Sequence, residues 1–223
     1  METVQPESIG FSSQRLKRIN RVMQRYVDDK KLAGIVTLIA RHGKIVHFDK
    51  FGMADIRRKR PMQTDSLFRI YSMTKPITST AVLMLFEEGY FRLTDPVHEY
   101  IPVFKDVKVL DSSPNSEKRL IEPRRLITIR DLLTHTAGLS YGFDDNFYID
   151  DLYRKNMWAK LDRNRDMTLE EMVTEIAKIP LAFHPGSNYR YSMAVDVLGY
   201  LVQVVSGVPF EDFLKQRILI RWA

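Results

Sequence analysis

The segment "FRIYSMTKPITST", Phe68–Thr80, places a serine three residues before a lysine and a proline directly after that lysine. Because Pro76 is favoured in the first turn of a helix and poorly tolerated deeper, Ser72 is predicted to lie at or near a helix N-terminus. Residues three apart share a helix face, which brings the Lys75 amine near the Ser72 hydroxyl. The positive end of the helix dipole favours a developing alkoxide at this position.

Two interpretations of this pair stay open from the residues alone. In the first, Ser72 is a nucleophile and Lys75 accepts its proton, which requires a lysine that is uncharged part of the time through desolvation or a neighbouring cation. In the second, Ser72 caps the helix and Lys75 is exposed to solvent. Apolar neighbours at Phe68, Ile70 and Ile77 are compatible with desolvation, but a sequence does not show burial.

The composition of the 223-residue chain is that of a globular protein, with 44% hydrophobic and 28% charged residues and a net charge of +6. The dense basic cluster Arg57 to Arg60 is interpreted as a solvated loop beside a strand, so no nucleic-acid partner is expected. No apolar run approaches the roughly 18 to 20 residues that span a bilayer, and no leader pattern is visible. We therefore expect a cytoplasmic protein without a membrane partner. The absence of cysteine excludes disulfides and thiolate catalysis, and the histidines show no metal-ligand spacing.

The first part of the chain is predicted to form a helix followed by a β-hairpin. Apolar residues at helical spacing begin after Ser12 or Ser13, either of which can cap the helix. The segment "AGIVTLIARHGKIVHFDKFGMAD" indicates two strands joined by a tight turn at His42 and Gly43. The first of these strands is apolar on both faces.

The rest of the chain is predicted to be mostly helical, which gives an α+β fold class. The helix that begins near Ser72 should close at Gly89. Asp95 is predicted to cap a helical turn with Pro96 in its first position, and the stretch from Lys105 to Leu126 is interpreted as a loop. Two capping boxes indicate further helix starts, Thr128 with Asp131 and Thr168 with Glu171. Two late helices are predicted at "MAVDVLGYLVQVVSG" and "PFEDFLKQRI" from their apolar periodicity.

Several segments in order resemble the serine hydrolases of β-lactamase fold, which include class C β-lactamases, D-alanyl-D-alanine peptidases and family VIII carboxylesterases. They are the block from "GMADI" through "YSMTK" to "YIPVF", "ITIRDLLTHTAGL" at Ile127 to Leu139, and "FHPGSNYRYSMAVDVLGYLVQVVSGVPFEDFL" at Phe183 to Leu214. The resemblance covers roughly Ile9 to Arg217, and several ordered motifs are far more specific than Ser-x-x-Lys alone. It is nearest to the family VIII carboxylesterases.

The resemblance implies a β-lactamase/transpeptidase-like fold, with residues 1–66 as the helix and hairpin of the α/β part and residues 67–223 as a helical domain. It also implies that Ser72 is the acylated nucleophile, that Lys75 accepts its proton, and that Tyr191 shares this proton and protonates the leaving group. Tyr189 is the rival to Tyr191, and His135 is interpreted as structural. No metal or organic cofactor is implied, and the expected partner is a small-molecule ester, with a β-lactam as the alternative.

One departure from the family pattern concerns the substrate. Lactamases of this fold place Asn two residues after the tyrosine, where it helps to hold the substrate amide, but this chain has Met193. We therefore expect ester hydrolysis, with a β-lactamase or D-alanyl-D-alanine peptidase-like enzyme as the alternative. A catalytically inert, self-associating fragment is the non-enzymatic alternative. The aromatic segment Tyr141 to Arg165 is interpreted either as a wall for an acyl chain or as a packed lid.

A second departure concerns length, because the family continues through further helices and sheet strands that carry a third motif and the second oxyanion-hole N–H. Members of the family commonly have Asp-Pro-Leu-Gly-Met at this point. One codon sequence for that run, with its first base deleted, encodes Ile-Arg-Trp-Ala and a stop, and these are the residues from Ile220 to Ala223. A truncation by a single-nucleotide deletion is therefore hypothesised. It would leave the strand Gly34 to Ala40 without a neighbour on one edge, so we expect a homo-oligomer formed through an exposed sheet edge.

Overall fold

The computed structural model describes residues 1–111 and 119–220. The chain divides into two compact units, Met1–Arg69 and Ile70–Ala223. The sequence-based division into domains at residues 1–66 and 67–223 stays a proposal, because a compact unit need not fold alone. The α+β fold class predicted from the sequence is confirmed.

The first unit is a helix and a small antiparallel sheet. Its elements are α1 (Ser13–Asp28), β1 (Gly34–Arg41), β2 (Lys44–Asp55) and β3 (Arg60–Pro61), after a 3₁₀ turn at Pro6–Ile9. The Ser12 hydroxyl accepts a hydrogen bond from the Arg15 N–H at 3.3 Å, so Ser12 rather than Ser13 is the cap. The predicted tight turn is present, and both of its residues have positive φ, 50° at His42 and 72° at Gly43.

The sheet has the strand order β1-β2-β3, so in the described part of the chain β1 pairs with β2 alone. Gly34 of β1 pairs with Gly52 of β2. Because neither residue has a side chain, the two strands and the chain before β1 can approach one another closely. A Cβ at Gly52, which has a φ of +71°, would lie 2.4 Å from the carbonyl oxygen of Ala33. The apolar side chains buried in this unit are Ile45, Val46, Phe51 and Met62.

The second unit is a helical assembly around one apolar core. Its helices and strands are α2 (Thr74–Glu87), β4 (Val109–Leu110), β5 (Leu120–Ile121), α3 (Ile129–Leu133), α4 (Tyr148–Leu152), α5 (Ala159–Arg163), α6 (Leu169–Ala177), α7 (Ala194–Ser206) and α8 (Phe210–Leu214). Short 3₁₀ turns occur at Tyr71–Met73, Val97–Glu99 and Pro102–Phe104, and π-helical turns at Tyr153–Trp158 and Lys215–Leu219. The helix α7 lies at the centre and contacts α2, α3, α6 and α8.

Most of α7 is buried because its sequence is apolar on nearly every face. Val197, Leu198, Leu201 and Val202 are fully buried in the core, where they lie among residues that include Leu85 of α2. Truncating a core leucine of this kind to alanine typically costs about 2–5 kcal/mol. The packing of α2 against α7 therefore fixes the positions of both helix N-termini.

Both predicted capping boxes are present. Thr128 accepts from the Asp131 N–H and Asp131 accepts from the Thr128 N–H, and Thr168 and Glu171 make the same reciprocal pair. Asp131 is nearly fully buried and also accepts two hydrogen bonds from the Arg125 guanidinium, at 2.5 and 2.8 Å.

The helical turn predicted after Asp95 is present, but the prediction that Asp95 caps it and that Pro96 is its first residue was wrong. Pro96 is extended, with a ψ of 133°, and the chain then makes only a 3₁₀ turn at Val97–Glu99. The Asp95 carboxylate instead accepts from the Arg92 N–H at 2.7 Å and the Tyr100 hydroxyl at 3.1 Å. A second proline, Pro102, follows too soon for an α-helix to continue.

The stretch from Lys105 to Leu126 is not entirely loop. Val109–Leu110 pairs with Leu120–Ile121 as a two-residue antiparallel ribbon, and Val109 also bridges Leu181. Residues 112–118 of the predicted loop lie outside the described residues. Apolar contacts with the core, rather than local propensity, hold so short a ribbon in place, since Val109 is buried and Leu110 and Ile121 pack against the core.

Within residues 1–111 and 119–220, no single helix is both long and apolar enough to cross a bilayer. The helix α7 and the segment Phe210–Leu219 reach that length and composition only as a pair bent by 83°.

Replacing Asp131 with Asn tests the buried cap. Burial by itself raises the pKa of Asp131, but hydrogen bonds from Arg125, Thr128 and Thr136 outweigh it and hold the pKa below its ordinary value. The stabilisation is therefore fully present above the unfolded pKa of about 3.9 and is lost as pH falls through the lower folded pKa. Asp131→Asn should lower the free energy of unfolding at pH 7 by about 2 kcal/mol, measured by urea denaturation.

The matched control is Asp106→Asn, because Asp106 is exposed. It should change the stability by less than about 0.5 kcal/mol at any pH. Equal effects of the two substitutions at pH 7 would contradict the role assigned to the cap.

Candidate active site

Ser72 lies in the 3₁₀ turn Tyr71–Met73 that leads directly into α2. Its side chain is exposed, as a nucleophile must be. The residue before it, Tyr71, has a φ of 44°, a left-handed conformation that is uncommon for a bulky side chain. The predicted position of Ser72 near a helix N-terminus is thus what the structure shows.

The hydroxyl of Ser72 is hydrogen bonded to the phenol of Tyr191, with the two oxygens 2.5 Å apart. These residues are 119 positions apart in the sequence, so the contact depends on tertiary packing. Tyr191 lies three residues before α7 begins. The rival candidate Tyr189 is 62% exposed, and its ring lies edge-on to His135 with the ring centres 6.1 Å apart.

Lys75 is half-buried in the first turn of α2, with its ammonium beside two aromatic rings. Its Nζ lies 5.0 Å from the centre of the Tyr191 ring and 5.6 Å from that of the Tyr141 ring. Cations this close to an aromatic face are attracted by the ring quadrupole. The structure therefore places Ser72, Lys75 and Tyr191 together in one site.

Lys75 changes the acidity of Tyr191. Partial burial by itself raises the pKa of Tyr191, but hydrogen bonding from Ser72 and Lys75 and the positive charge of Lys75 outweigh it, leaving the pKa below its ordinary value. A phenol of lowered pKa gives up its proton more readily and, as a phenolate, accepts one from a neighbouring hydroxyl.

The backbone around Tyr191 is held by the segment that contains His135. The Arg190 N–H donates to the His135 carbonyl at 2.9 Å, and the Met193 N–H donates to the Ser140 carbonyl at 3.1 Å. The His135 Nδ1 is 3.0 Å from the Ser192 Oγ, and its ring lies 5.0 Å from that of Tyr191. Burial lowers the pKa of His135, and the charge of Lys75 lowers it further, so the imidazole is neutral at pH 7.

A buried ionic network lies directly beneath this segment. The Arg190 guanidinium donates to the Asp150 carboxylate at 3.0 Å and to the Ser140 hydroxyl at 2.6 Å. Ser140 also donates to Asp150, which is only 2% exposed. Burial by itself raises the pKa of Asp150, but its partners outweigh this effect and keep it ionised. Because Arg190 is adjacent to Tyr191, this network helps to hold the backbone that carries the phenol.

Two aspects of α7 bear on the chemistry. The Met193 side chain is 1% exposed and lies in the core, so the position at which lactamases were expected to carry Asn offers no polar group to the site. One turn further, the Oδ2 of Asp196 is buried without a hydrogen-bond partner among the described residues. Burial raises the pKa of Asp196, and the nearby charge of Lys75 only partly offsets this.

A cavity of about 470 Å³ opens beside Ser72. Its wall includes the first turn of α2, one face of α7 and the aromatic pair Tyr141 and Phe143, whose rings stack with centres 4.3 Å apart. Further along the aromatic segment, Tyr153 and Met157 are fully buried. Tyr141 and Phe143 thus form a wall, whereas the later residues of this segment pack into the core.

Sequence reasoning placed Tyr141 in a possible wall but missed its position beside Lys75, and it missed Arg190 and Asp196. For Asp196 a signal was available, because it is a lone acid in the otherwise apolar "MAVDVLGYLVQVV". Arg190 is ordinary in sequence and is revealed only by its buried partners. Among residues 1–111 and 119–220, no group of three His, Asp or Glu side chains is arranged to hold a metal ion.

Known proteins resemble this chain over most of its length. Residues 19–222 match the family model described as Beta-lactamase. The chain is 38% identical over 193 residues to esterase EstB from Burkholderia gladioli, an alignment that covers 86% of this chain and 46% of the esterase.

Two solved structures are also similar. EstCE1, described as a hydrolase with promiscuous acyltransferase activity, superposes with a TM-score of 0.73 at 32% identity, covering 92% of this chain and 51% of EstCE1. Simvastatin synthase from Aspergillus terreus gives a TM-score of 0.75 at 26% identity, with 93% and 52% covered. The chain thus spans about half the length of the relatives that it matches. With a family match over nearly its whole length, the chain belongs to the Beta-lactamase family and has the β-lactamase/transpeptidase-like fold.

Proposed function

We propose that this protein is a carboxylesterase that hydrolyses short-chain esters through an acyl-enzyme formed on Ser72. The observation that carries the proposal is the 2.5 Å hydrogen bond between the Ser72 and Tyr191 hydroxyls beside the Lys75 ammonium. An alcohol becomes a good nucleophile only when a base can take its proton, and here the phenol and the amine are within reach of it. The similarity to esterase EstB supports the same class of substrate.

In the acylation step, the Ser72 oxygen attacks the ester carbonyl and its proton passes to the pair formed by Lys75 and Tyr191. A bond forms between Ser72 Oγ and the carbonyl carbon, and the bond from that carbon to the alcohol oxygen breaks. Tyr191 returns the proton to the departing alcohol. In deacylation a water molecule gives a proton to the same pair and attacks the acyl carbonyl carbon. The bond from that carbon to Ser72 Oγ then breaks, which releases the acid, and the proton restores the Ser72 hydroxyl.

The backbone N–H of Ser72 is positioned to stabilise the negative charge that develops on the carbonyl oxygen. The Ser72 N–H lies at the start of a helical turn, where N–H groups have no intrahelical acceptor. We assign it as one half of an oxyanion hole. One donor of this kind is typically worth about 10²–10³ in rate.

The environment of Met193 favours an ester over a β-lactam. Recognition of a lactam amide requires a polar group at this position, and a buried thioether supplies none. The alternative is a β-lactamase or peptidase-like enzyme with the same acyl-enzyme chemistry. Penicillin-binding protein 4* from Bacillus subtilis, 28% identical over 186 residues, keeps that alternative open.

A fluorophosphonate probe tests for the activated serine. The chain should be labelled on Ser72, located by peptide mass spectrometry, and labelling should fall at least 100-fold in Lys75→Ala and in Tyr191→Phe because each removes part of the base. Tyr189→Phe is the matched control and should label at the rate of the unaltered chain. Equal labelling of all four proteins would rule out the proposed mechanism.

Assays with an ester and with a penicillin distinguish the two substrate classes. Short p-nitrophenyl esters should be turned over, while a fluorescent penicillin should leave no stable adduct on Ser72. A stable penicillin adduct without ester turnover would favour the peptidase-like alternative.

The pH dependence of acylation should reveal the lowered pKa of Tyr191. If labelling depends on the phenolate, its rate should rise with pH, and the midpoint of this rise should lie below the ordinary tyrosine pKa of about 10. Because the Asp196 carboxylate raises the pKa of Tyr191, Asp196→Asn should move this rise to lower pH. The rate of fluorophosphonate labelling across the pH range measures both positions. A rise that stays in place or moves to higher pH in the variant would contradict the assignment.

We also propose self-association through the edge of β1 that has no strand partner among the described residues, since an unpaired strand edge offers its N–H and C=O groups to a second copy. Leu38, which is exposed on β1, would lie within such an interface. Sedimentation velocity should show oligomers for this chain and a larger monomer fraction for Leu38→Lys, with Val22→Lys on the exposed side of α1 as control. A monomer at every concentration would end this proposal.

A further inference from the structure

We infer that the cavity beside Ser72 binds the hydrocarbon chain of the substrate's acyl group, and that Phe210 closes its far end. The inference rests on the proposed function, because it assumes that Ser72 is the residue that becomes acylated. The cavity is of the size that small-molecule sites usually have, about 300–1,000 Å³.

The cavity follows two neighbouring helices away from the nucleophile. On α2 it is lined by Thr74 and Thr78, which are one turn apart, and on α7 by Val195 and Gly199, also one turn apart. Ser72 lies at the start of the first series. An acyl chain attached to the Ser72 oxygen therefore has a path along the groove between α2 and α7.

The far end of the cavity is apolar. Leu169, the first residue of α6, and Phe210, the first residue of α8, complete the lining beyond Gly199. A Cβ placed on Gly199 would lie 3.3 Å from the Cε1 of Phe210, so the Phe210 ring occupies the space that a side chain on α7 would fill. The Phe210 N–H donates to the Gln203 side chain at 3.3 Å, which anchors the start of α8.

The polar groups of the lining do not oppose a hydrocarbon. The Thr78 hydroxyl donates to the Thr74 carbonyl at 3.2 Å, so it is already satisfied. Asp196 lies at the Lys75 end, near the reacting carbonyl rather than the chain end. Its carboxyl disfavours acyl groups that carry a second carboxylate close to the ester.

A second cleft explains why the hydrocarbon is assigned to the first one. Tyr141 and Phe143 contribute to the lining of both clefts. The second cleft is bordered by Asp144, Asp145 and Arg190, which are charged. An apolar acyl chain is therefore favoured in the groove between α2 and α7, and the departing alcohol faces the charged cleft.

The test uses p-nitrophenyl n-alkylphosphonates, in which an alkyl group of chosen length stands for the acyl chain. Ser72 displaces p-nitrophenolate and forms a bond to phosphorus, so the rate of p-nitrophenolate release measures this half-reaction alone. From methyl upward, the rate constant should rise roughly fourfold per methylene while each added group leaves water. It should then fall once the chain meets Phe210.

Two substitutions should move this optimum in opposite directions. Phe210→Ala opens the far end and should shift the optimum to longer alkyl groups, whereas Gly199→Ala places a methyl group against the ring and should shift it to shorter ones. Val204→Ala is the control, because Val204 lies on α7 with 39% exposure and does not line the cavity. Thermal melting identifies a variant that fails to fold.

The outcomes separate the two proposals. If the methyl probe labels Ser72 but the two folded variants keep the chain-length preference of the unaltered chain, the assignment of the cavity is overturned and the nucleophile stands. If only one variant folds, its shift in the assigned direction supports the cavity and an unchanged optimum overturns it. If no probe labels Ser72, the proposed function itself fails and this inference fails with it.

Discussion

The hydrogen bond between Ser72 and Tyr191 depends on the packing of α2 against α7. Ser72 lies at the amino-terminal end of one helix and Tyr191 just before the other, so their separation is set by two apolar helix faces that meet in the core. The core residues are close-packed, and the two hydroxyls are therefore held together before any substrate binds. This pre-organisation is what proton transfer in the transition state requires.

The backbone next to Tyr191 is held by a different interaction, the network of Arg190, Asp150 and Ser140. Burying an ion pair seldom increases stability by itself, because desolvation opposes the attraction between the charges. Breaking such a pair is nevertheless costly, which makes one arrangement of the chain much more favourable than its competitors. The network, together with the backbone hydrogen bond from Arg190 to His135, thereby fixes the extended segment that carries Tyr191.

Local rules predicted the elements whose determinants are local. Pro76 and the two capping boxes fixed helix starts, and the His42–Gly43 turn fixed the hairpin. Asp95 misled because two prolines nearby restrict the chain to a 3₁₀ turn, an effect that a cap rule does not include. No periodicity distinguishes Tyr191 from Tyr189, and only the family resemblance selected it. The left-handed backbone of Tyr71 and the buried carboxyl of Asp196 arise from tertiary packing, which a single sequence does not display.

The presence of Met193, where lactamases of this fold carry Asn, has an electrostatic consequence. A methionine at this position fills the core, and the polar group nearest to Lys75 on α7 becomes the carboxyl of Asp196, one turn along the same face. An amide is neutral at every pH, whereas a buried carboxyl changes its charge when it releases its proton. The charge of Lys75 lowers the pKa of both Tyr191 and Asp196, and the Asp196 carboxylate raises the pKa of Tyr191. In the proposed mechanism the base that activates Ser72 therefore depends on Asp196 as well as on Lys75 and Tyr191, and Asp196 lies on the helix whose packing positions the phenol.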